Sequence, residues 1–236
     1  MDLLEYFKKK ALLTDGKSNT KTAKNSIKSY YLSLQPTDLN SKGENLCKFS
    51  TKECRTACLQ FAGRQSFDNV VQSRSRKTEF FVQYKDIFLR KLWGELYDLN
   101  QKGKCAVRLN LLSDVDWEKE FQNESLPGLE TFENIQFYDY TKDHFKALGN
   151  KLANYHLTLS YSGHNWKQCE VALKNKVANV TVVFKNVVPL TYNGFTVVDG
   201  DKSDERFLDP QGVIVGLKYK TPKGVKYEKT KFVIDE

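Results

Sequence analysis

The sequence predicts an α/β protein, a partial or complete (β/α) barrel with mainly parallel strands, preceded by a basic N-terminal arm. Two observations carry this expectation. Short apolar runs alternate with stretches of helical spacing along most of the chain, the pattern of βαβ units. The composition, 40% hydrophobic and 13% aromatic over 236 residues, is enough to cover both faces of a sheet.

The elements follow in order. Residues 1–28 combine a short amphipathic segment, LLEYF, with a Lys-, Ser- and Thr-rich stretch read as a mobile basic arm. The body, residues 29–236, is read as a single barrel-like domain. It opens with the strand SYYLSLQP, closed by Pro36, and continues into a polar loop whose cysteines span 47–58. From Phe67 to Leu99, Val70, Val71, Phe80, Phe81, Tyr84, Ile87, Phe88, Leu92 and Leu96 recur at helical spacing, giving one or two helices. CAVRLNLLSDV is a strand, followed by an acidic stretch to Pro127. Then come IQFYDY (strand), DHFKALGNKL (helix), YHLTLSYS (strand), NWKQCEVALKNK (helix) and VTVVFK (strand), before the strand-like FTVVDG, VIVGLKYK and KFVIDE.

No run approaches the ~20 apolar residues of a membrane span, and Lys8, Lys9 and Lys10 interrupt the N-terminus where a secretory signal would need an apolar core. An intracellular address and no membrane partner are expected. The net charge of +8 favours a polyanionic partner, a nucleotide or nucleic acid. Neither a G-x-G-x-x-G after the first strand nor a Walker loop is present, which argues against the dinucleotide-binding and P-loop versions of the fold.

In parallel α/β proteins chemistry sits at the carboxyl ends of strands. Those ends are polar here: Arg108, Asn110, Ser113 and Asp114; Asp139, Tyr140, Thr141 and Lys142; His156, Thr158, Ser160, Ser162 and His164; and Asp199, Asp201, Asp204, Arg206 and Asp209. Charged side chains inside a barrel need partners, so these positions are read as a structural ion-pair layer or as a rim for a polar or anionic ligand. His156, in an alternating strand, is a satisfied core histidine or a catalyst. The Asp199, Asp201, Asp204 series lacks the glycine and closing glutamate of a calcium loop; a magnesium-assisted site or a turn paired with Arg206 fits it equally.

Cys47, Cys54 and Cys58 form a Cys-x6-Cys-x3-Cys pattern. Thiolates so close in sequence suit a soft metal. Three ligands with one open iron position suit a [4Fe-4S] cluster, zinc requires a fourth ligand, and unmetallated thiols are the remaining reading. The loop also follows the first strand, where radical S-adenosylmethionine enzymes place their cluster. Their Cys-x3-Cys-x2-Cys spacing and Gly-Gly-Glu are absent.

LCKFSTKECRTACLQFAGR, RSRKTEFF, VRLNLLSDVDWE, IQFYDYTK, NYHLTLSYSG and VVDGDKSDERFLDPQGVIVGLKYK resemble, in this order, the phage "gene product eighty-eight" family over about residues 29–236. The resemblance implies a bacteriophage protein made in the host bacterial cytoplasm; it implies no particular activity. The family pattern includes Cys47, Cys54 and Cys58 with Ala62, Gly63 and Arg64, then Arg108, Asn110, Ser113 and Asp114, Tyr138 to Lys142, and Asp199 to Asp209. Leu111 and Leu112 stand where similar proteins tend to have Gly-Thr.

Three functions are expected from these residues. The first is an iron–sulfur, radical-SAM-like enzyme acting on a nucleotide or nucleic-acid component. In it Cys47, Cys54 and Cys58 hold the cluster, Arg108, Asn110, Ser113, Lys142, Ser160, Asp201 and Arg206 bind substrate, and Asp139 or Asp199 moves protons. The second is a zinc-bearing, transglycosylase-like barrel with Asp114 or Asp139 as nucleophile. The third is a non-enzymatic nucleic-acid-binding protein using the arm, the run Arg74, Arg76 and Lys77, and the Lys218–Lys231 tail.

Overall fold

The computed structural model describes residues 2–18, 25–221 and 227–235. Among them the helices are α1 (Leu3–Lys9), α2 (Lys52–Thr56), α3 (Asp68–Gln83), α4 (Lys85–Gln101), α5 (Trp117–Asn123), α6 (His144–Gly149) and α7 (Trp166–Lys174). The strands are β1 (Thr14–Asp15), β2 (Ser29–Tyr31), β3 (Cys105–Arg108), β4 (Ile135–Thr141), β5 (Tyr155–Ser160), β6 (Asn179–Phe184), β7 (Thr191–Tyr192), β8 (Phe195–Asp199), β9 (Ile214–Lys218) and β10 (Val233–Ile234).

The strand order is β1-β2-β3-β4-β5-β6-β9-β8-β7, with β10 beside β6. The pairs β2–β3, β3–β4, β5–β6, β6–β9, β8–β9 and β6–β10 are parallel, as the βα alternation predicts. Among the described residues the expected barrel does not close, because the end strands of the sheet do not pair with each other. The physical reason lies in those ends: β1 and β7 are two-residue strands, each antiparallel to its neighbour, and short edges of this kind terminate a sheet.

The chain divides into two compact units. The first comprises Met1–Lys48, Phe67–Phe137 and Leu152–Tyr155; the second comprises Phe49–Ser66, Tyr138–Lys151 and His156–Glu236.

The first unit is built on aromatic packing. Phe80, Phe81, Phe88, Trp117 and Phe121 are fully buried, and Phe81 meets Phe88 and Trp117 edge-on at 5.2 and 5.7 Å between centroids. Each such ring contributes about 1.5–3 kcal/mol by leaving water. The N-terminal segment joins this core. Asp2 caps α1 by accepting from Leu4 N–H (2.9 Å), and Phe7 stacks on Phe80 at 4.7 Å. Glu95 then accepts from Leu12 N–H and Leu13 N–H, 2.9 Å each. The expected short helix is thus present and anchored to the core through Phe7, while residues 19–24 of the expected basic arm lie outside the described residues.

The basic run of α3 is also corrected. Arg74 and Lys77 are buried, Arg74 Nε donating to Gln35 Oε1 (2.7 Å) and Lys77 Nζ to Thr14 Oγ1 (3.1 Å). Burial lowers the Lys77 ammonium to about 8 against the opposing pull of Glu95. These side chains share the inward stripe of the helix with Thr78 and Phe81 and form no polyanion surface.

In the second unit one sheet face is apolar. Leu159, Val180, Val182, Phe184, Val197 and Ile214 pack with Ala147 of α6 and with Cys169, Ala172 and Leu173 of α7. Cys169, pushed up to about 12 by burial, is a core residue there. The other face is different in kind.

Candidate functional site

Along β5 the sequence YHLTLS alternates, so Leu157 and Leu159 point to one side while His156, Thr158 and Ser160 point to the other. The parallel register pairs Thr158 with Asn179 and Ser160 with Thr181 of β6, which extends the polar row across a second strand. On β4, Lys142 Nζ donates to Ser160 Oγ at 3.0 Å, placing Tyr140 and Tyr138, at alternate positions, on the same face. Buried strands of parallel sheets are ordinarily near-continuous in Val, Ile and Leu. Here Tyr138, Thr158, Ser160, Asn179 and Thr181 are buried all the same.

The loop after β8 folds over part of this face. Asp199 Oδ1 accepts from Asp201 N–H (2.9 Å) and Asp201 Oδ2 from Lys218 N–H (2.8 Å), so this pair shapes the turn into β9. Tyr138 OH donates to Asp204 Oδ2 (3.3 Å), and the Phe207 ring meets Tyr138 edge-on at 5.6 Å. Arg206, only 2% exposed, donates from Nη2 to Ser203 O (2.7 Å) and holds Nε 3.3 Å from Asp209 Oδ2. Gly200 is required beside it: a Cβ there would lie 2.8 Å from Arg206 Nη1 and 2.5 Å from Val215 Cγ1.

Not every polar atom is met. Among the described residues His156 Nε2, Thr158 Oγ1 and Arg206 Nη1 are buried without a hydrogen-bond partner. Each such atom costs about 1–3 kcal/mol when left dry. Burial, reinforced by the charge of Arg206, lowers His156 to about 4, so its ring is neutral near pH 7.

At the carboxyl end of β5 the chain closes tightly. Thr51 Oγ1 donates to Ser162 O (3.1 Å), and Glu53 of α2 pairs with His164 at 3.0 Å. Gly163 has φ +92°, and a Cβ on it would lie 2.9 Å from Glu53 Oε2 and 3.1 Å from the Lys231 and Phe232 backbone. The segment that follows returns beside β6, Val233 against Val183, and brings the Phe232 ring 5.4 Å from Lys142 Nζ. The Lys218–Lys231 stretch therefore ends as a packed strand approach; 222–226 lie outside the described residues.

The remaining expected site residues fall elsewhere. Asp139 is buried, but alternation on β4 turns it and Thr141 to the face opposite Lys142. In the first unit Asn110 organises the turn after β3: its Oδ1 accepts from Ser113 Oγ and Val115 N–H (2.9 Å each), and its Nδ2 donates to Val115 O (3.0 Å). Arg108 Nη2 donates to Leu111 O (3.3 Å), and Asp114 N–H to Leu46 O (2.8 Å). Leu111 and Leu112 are buried and add apolar packing to that turn.

Cys54 lies on α2 and Cys58 just beyond it, both half-buried in the second unit, whereas Cys47 belongs to the first. Among the described residues no three His, Cys, Asp or Glu side chains come together as a set that could hold a metal ion. The cysteine trio thus forms no such set in this structure. Sequence reading places Thr158 with Lys142, Ser160 and Arg206 among the polar strand ends of a ligand rim but, unlike those three, assigns it no substrate contact. The alternation in HLTLS was the available signal; the missing partner is visible only in three dimensions.

A family model described as Gene product 88 matches residues 7–236, nearly the whole chain. No curated protein and no solved structure matches it.

Proposed function

We propose the following reading for this chain, which belongs to the Gene product 88 family: its second unit binds a nucleotide or nucleic-acid component on the polar face of β4, β5 and β6. The observation that carries it is a buried row of hydroxyl and amide side chains ending, at the carboxyl edge, in the Lys142 ammonium on Ser160 Oγ. Ligands of open α/β sheets sit at that edge. A lysine there is a point charge for a phosphate, and Ser160 Oγ is a second donor beside it. The overall charge of +8 favours approach of such an anion.

The face is built for binding. His156 is held neutral and is a weak base, and Asp204 is engaged by Tyr138. Asp139 lies on the other side of β4, so neither it nor a cysteine-bound metal has a step assigned at this edge. The phage setting implied by the sequence resemblance suits a protein that handles nucleotides.

Isothermal titration of the intact protein with the four ribonucleoside and four deoxyribonucleoside 5′-monophosphates, a short oligonucleotide and inorganic phosphate tests the reading. Saturable binding of at least one of the nucleotides or the oligonucleotide is expected. Lys142→Ala should weaken it about tenfold, the loss of one charge-assisted hydrogen bond. Heats indistinguishable from dilution for every compound, or an affinity that Lys142→Ala leaves unchanged, would overturn it.

A further inference from the structure

We infer that His156, Thr158 and Arg206 form a second, deeper subsite on this face, one that takes the neutral hydrogen-bonding edge of a nucleobase. The inference rests on the nucleotide reading above and adds which part of the ligand goes where.

Three observations combine. The first is lack of satisfaction: His156 Nε2, Thr158 Oγ1 and Arg206 Nη1 are all buried and all without a partner among the described residues, although the great majority of buried polar atoms are paired. Thr158 is 0% exposed and Arg206 2%, so bulk solvent does not meet the need.

The second is position. His156 and Thr158 are two residues apart on one side of β5, and the bond from Tyr138 OH to Asp204 Oδ2 holds the Arg206 turn against the same face. Thr158 lies two residues and His156 four residues back from Ser160, roughly 7 and 13 Å along the strand from the phosphate edge. That separation lets one mononucleotide reach both places.

The third is charge. Asp209 stands 3.3 Å from Arg206 Nε, and the His156 imidazole is neutral. What remains is a donor at Nη1, a hydroxyl that donates or accepts, and a ring nitrogen whose role follows its tautomer. Such a set matches a heterocycle edge bearing both donors and acceptors better than a second anion. Tyr140, half-buried at an alternate position on the same face, supplies an aromatic ring of the kind on which bases pack.

Thr158→Val is the test, because valine keeps the shape and removes the hydroxyl. Titration with adenosine, guanosine, cytidine and uridine and with their 5′-monophosphates gives an affinity ratio between the best and worst base. The wild type is expected to discriminate at least tenfold. Thr158→Val should bring the ratio within about threefold, whereas Lys142→Ala should weaken the monophosphates and keep the ratio. Urea unfolding of the ligand-free variant should show no loss of stability, since an unmade hydrogen bond is removed. A Thr158→Val ratio equal to wild type, or a wild type without base preference, overturns the subsite while leaving the phosphate edge standing. So does a clear loss of stability in Thr158→Val, which would reveal a partner for Oγ1 inside the protein. Failure of the wild type to bind any of these compounds overturns both readings.

Discussion

Two groups of buried polar residues, one in each unit, differ in how their hydrogen bonds are met. In the first, Asn110 is wholly occupied with its own turn, holding Ser113 and both backbone groups of Val115, and Glu95 is occupied with the N–H groups of Leu12 and Leu13. In the second, His156 and Thr158 of a comparable row on β5 each keep a buried polar atom without a hydrogen bond, as does Arg206 at Nη1. Burial alone does not separate the two cases, because Asn110 and Thr158 are both inside. Satisfaction does. A polar side chain whose hydrogen bonds close on its own loop builds the fold; those whose bonds stay open on β5 are the ones to which the proposed subsite is assigned. Trp117 Nε1 of the first unit shows the limit of the rule: it too is unmet, yet its ring sits among Phe81, Phe88 and Phe121 and is explained by packing.

The largest expected effect breaks the comparison at Asn110. Asn110→Ala strands Ser113 Oγ and the Val115 amide and carbonyl, and should cost roughly 4 kcal/mol in urea unfolding. A cost below about 1 kcal/mol would mean that the turn holds without it, and the contrast with Thr158 would dissolve.

His156 supplies the next effect, through pH. Its folded value of about 4 lies below the usual 6.5, so the unfolded chain binds the extra proton between these values. Stability due to the neutral ring is complete above pH 6.5 and is lost as pH falls toward 4, by on the order of 3 kcal/mol. Unfolding free energies of wild type and His156→Gln from pH 4 to 7 should diverge across that window. Parallel curves would show that the imidazole is not held neutral.

Lys77 gives a smaller effect of the same origin in the first unit. Its ammonium is buried and lowered to about 8, so the folded state resists charging and stability from the neutral amine grows between pH 8 and 10.5. Lys77→Met should raise stability at pH 7 by about 2 kcal/mol and lose that advantage as pH rises above 8. A destabilised variant at pH 7 would make the Thr14 contact more valuable than the burial is costly.

The smallest is Gly163→Ala, expected to cost about 1–2 kcal/mol in thermal unfolding, from a left-handed φ and the close Glu53 and Phe232 neighbours. An unchanged melting temperature would show that the turn after β5 yields, loosening the end of the site.

Much of the fold was legible because hydrophobic period follows from burial. The alternation around IQFYDY, YHLTLS and VTVVFK marks β4, β5 and β6, and the apolar spacing after Phe67 marks α3 and α4. Closure was not legible, since it depends on whether two-residue edges pair, and so short a segment carries no pattern. Charge misled at Arg74 and Lys77, where the helical period already placed both beside Thr78 and Phe81. At the cysteines, spacing in sequence does not by itself specify convergence: Cys54 lies on α2 and Cys58 just beyond it, and α2 docks through Thr51 and Glu53. Lys142, Ser160 and Arg206 were legible as types at strand ends. That Arg206 and Thr158 keep atoms unmet is a property of packing, which composition does not encode.

The most direct measurement is a high-resolution crystal structure of the protein grown with an excess of the tightest-binding monophosphate. The account predicts ligand density on the polar face of β5, a phosphate at Lys142 and Ser160, and base atoms within hydrogen-bond distance of Thr158 Oγ1, His156 Nε2 and Arg206 Nη1. Finding those three atoms bonded to other groups of the protein, with the nucleotide bound elsewhere, would contradict it.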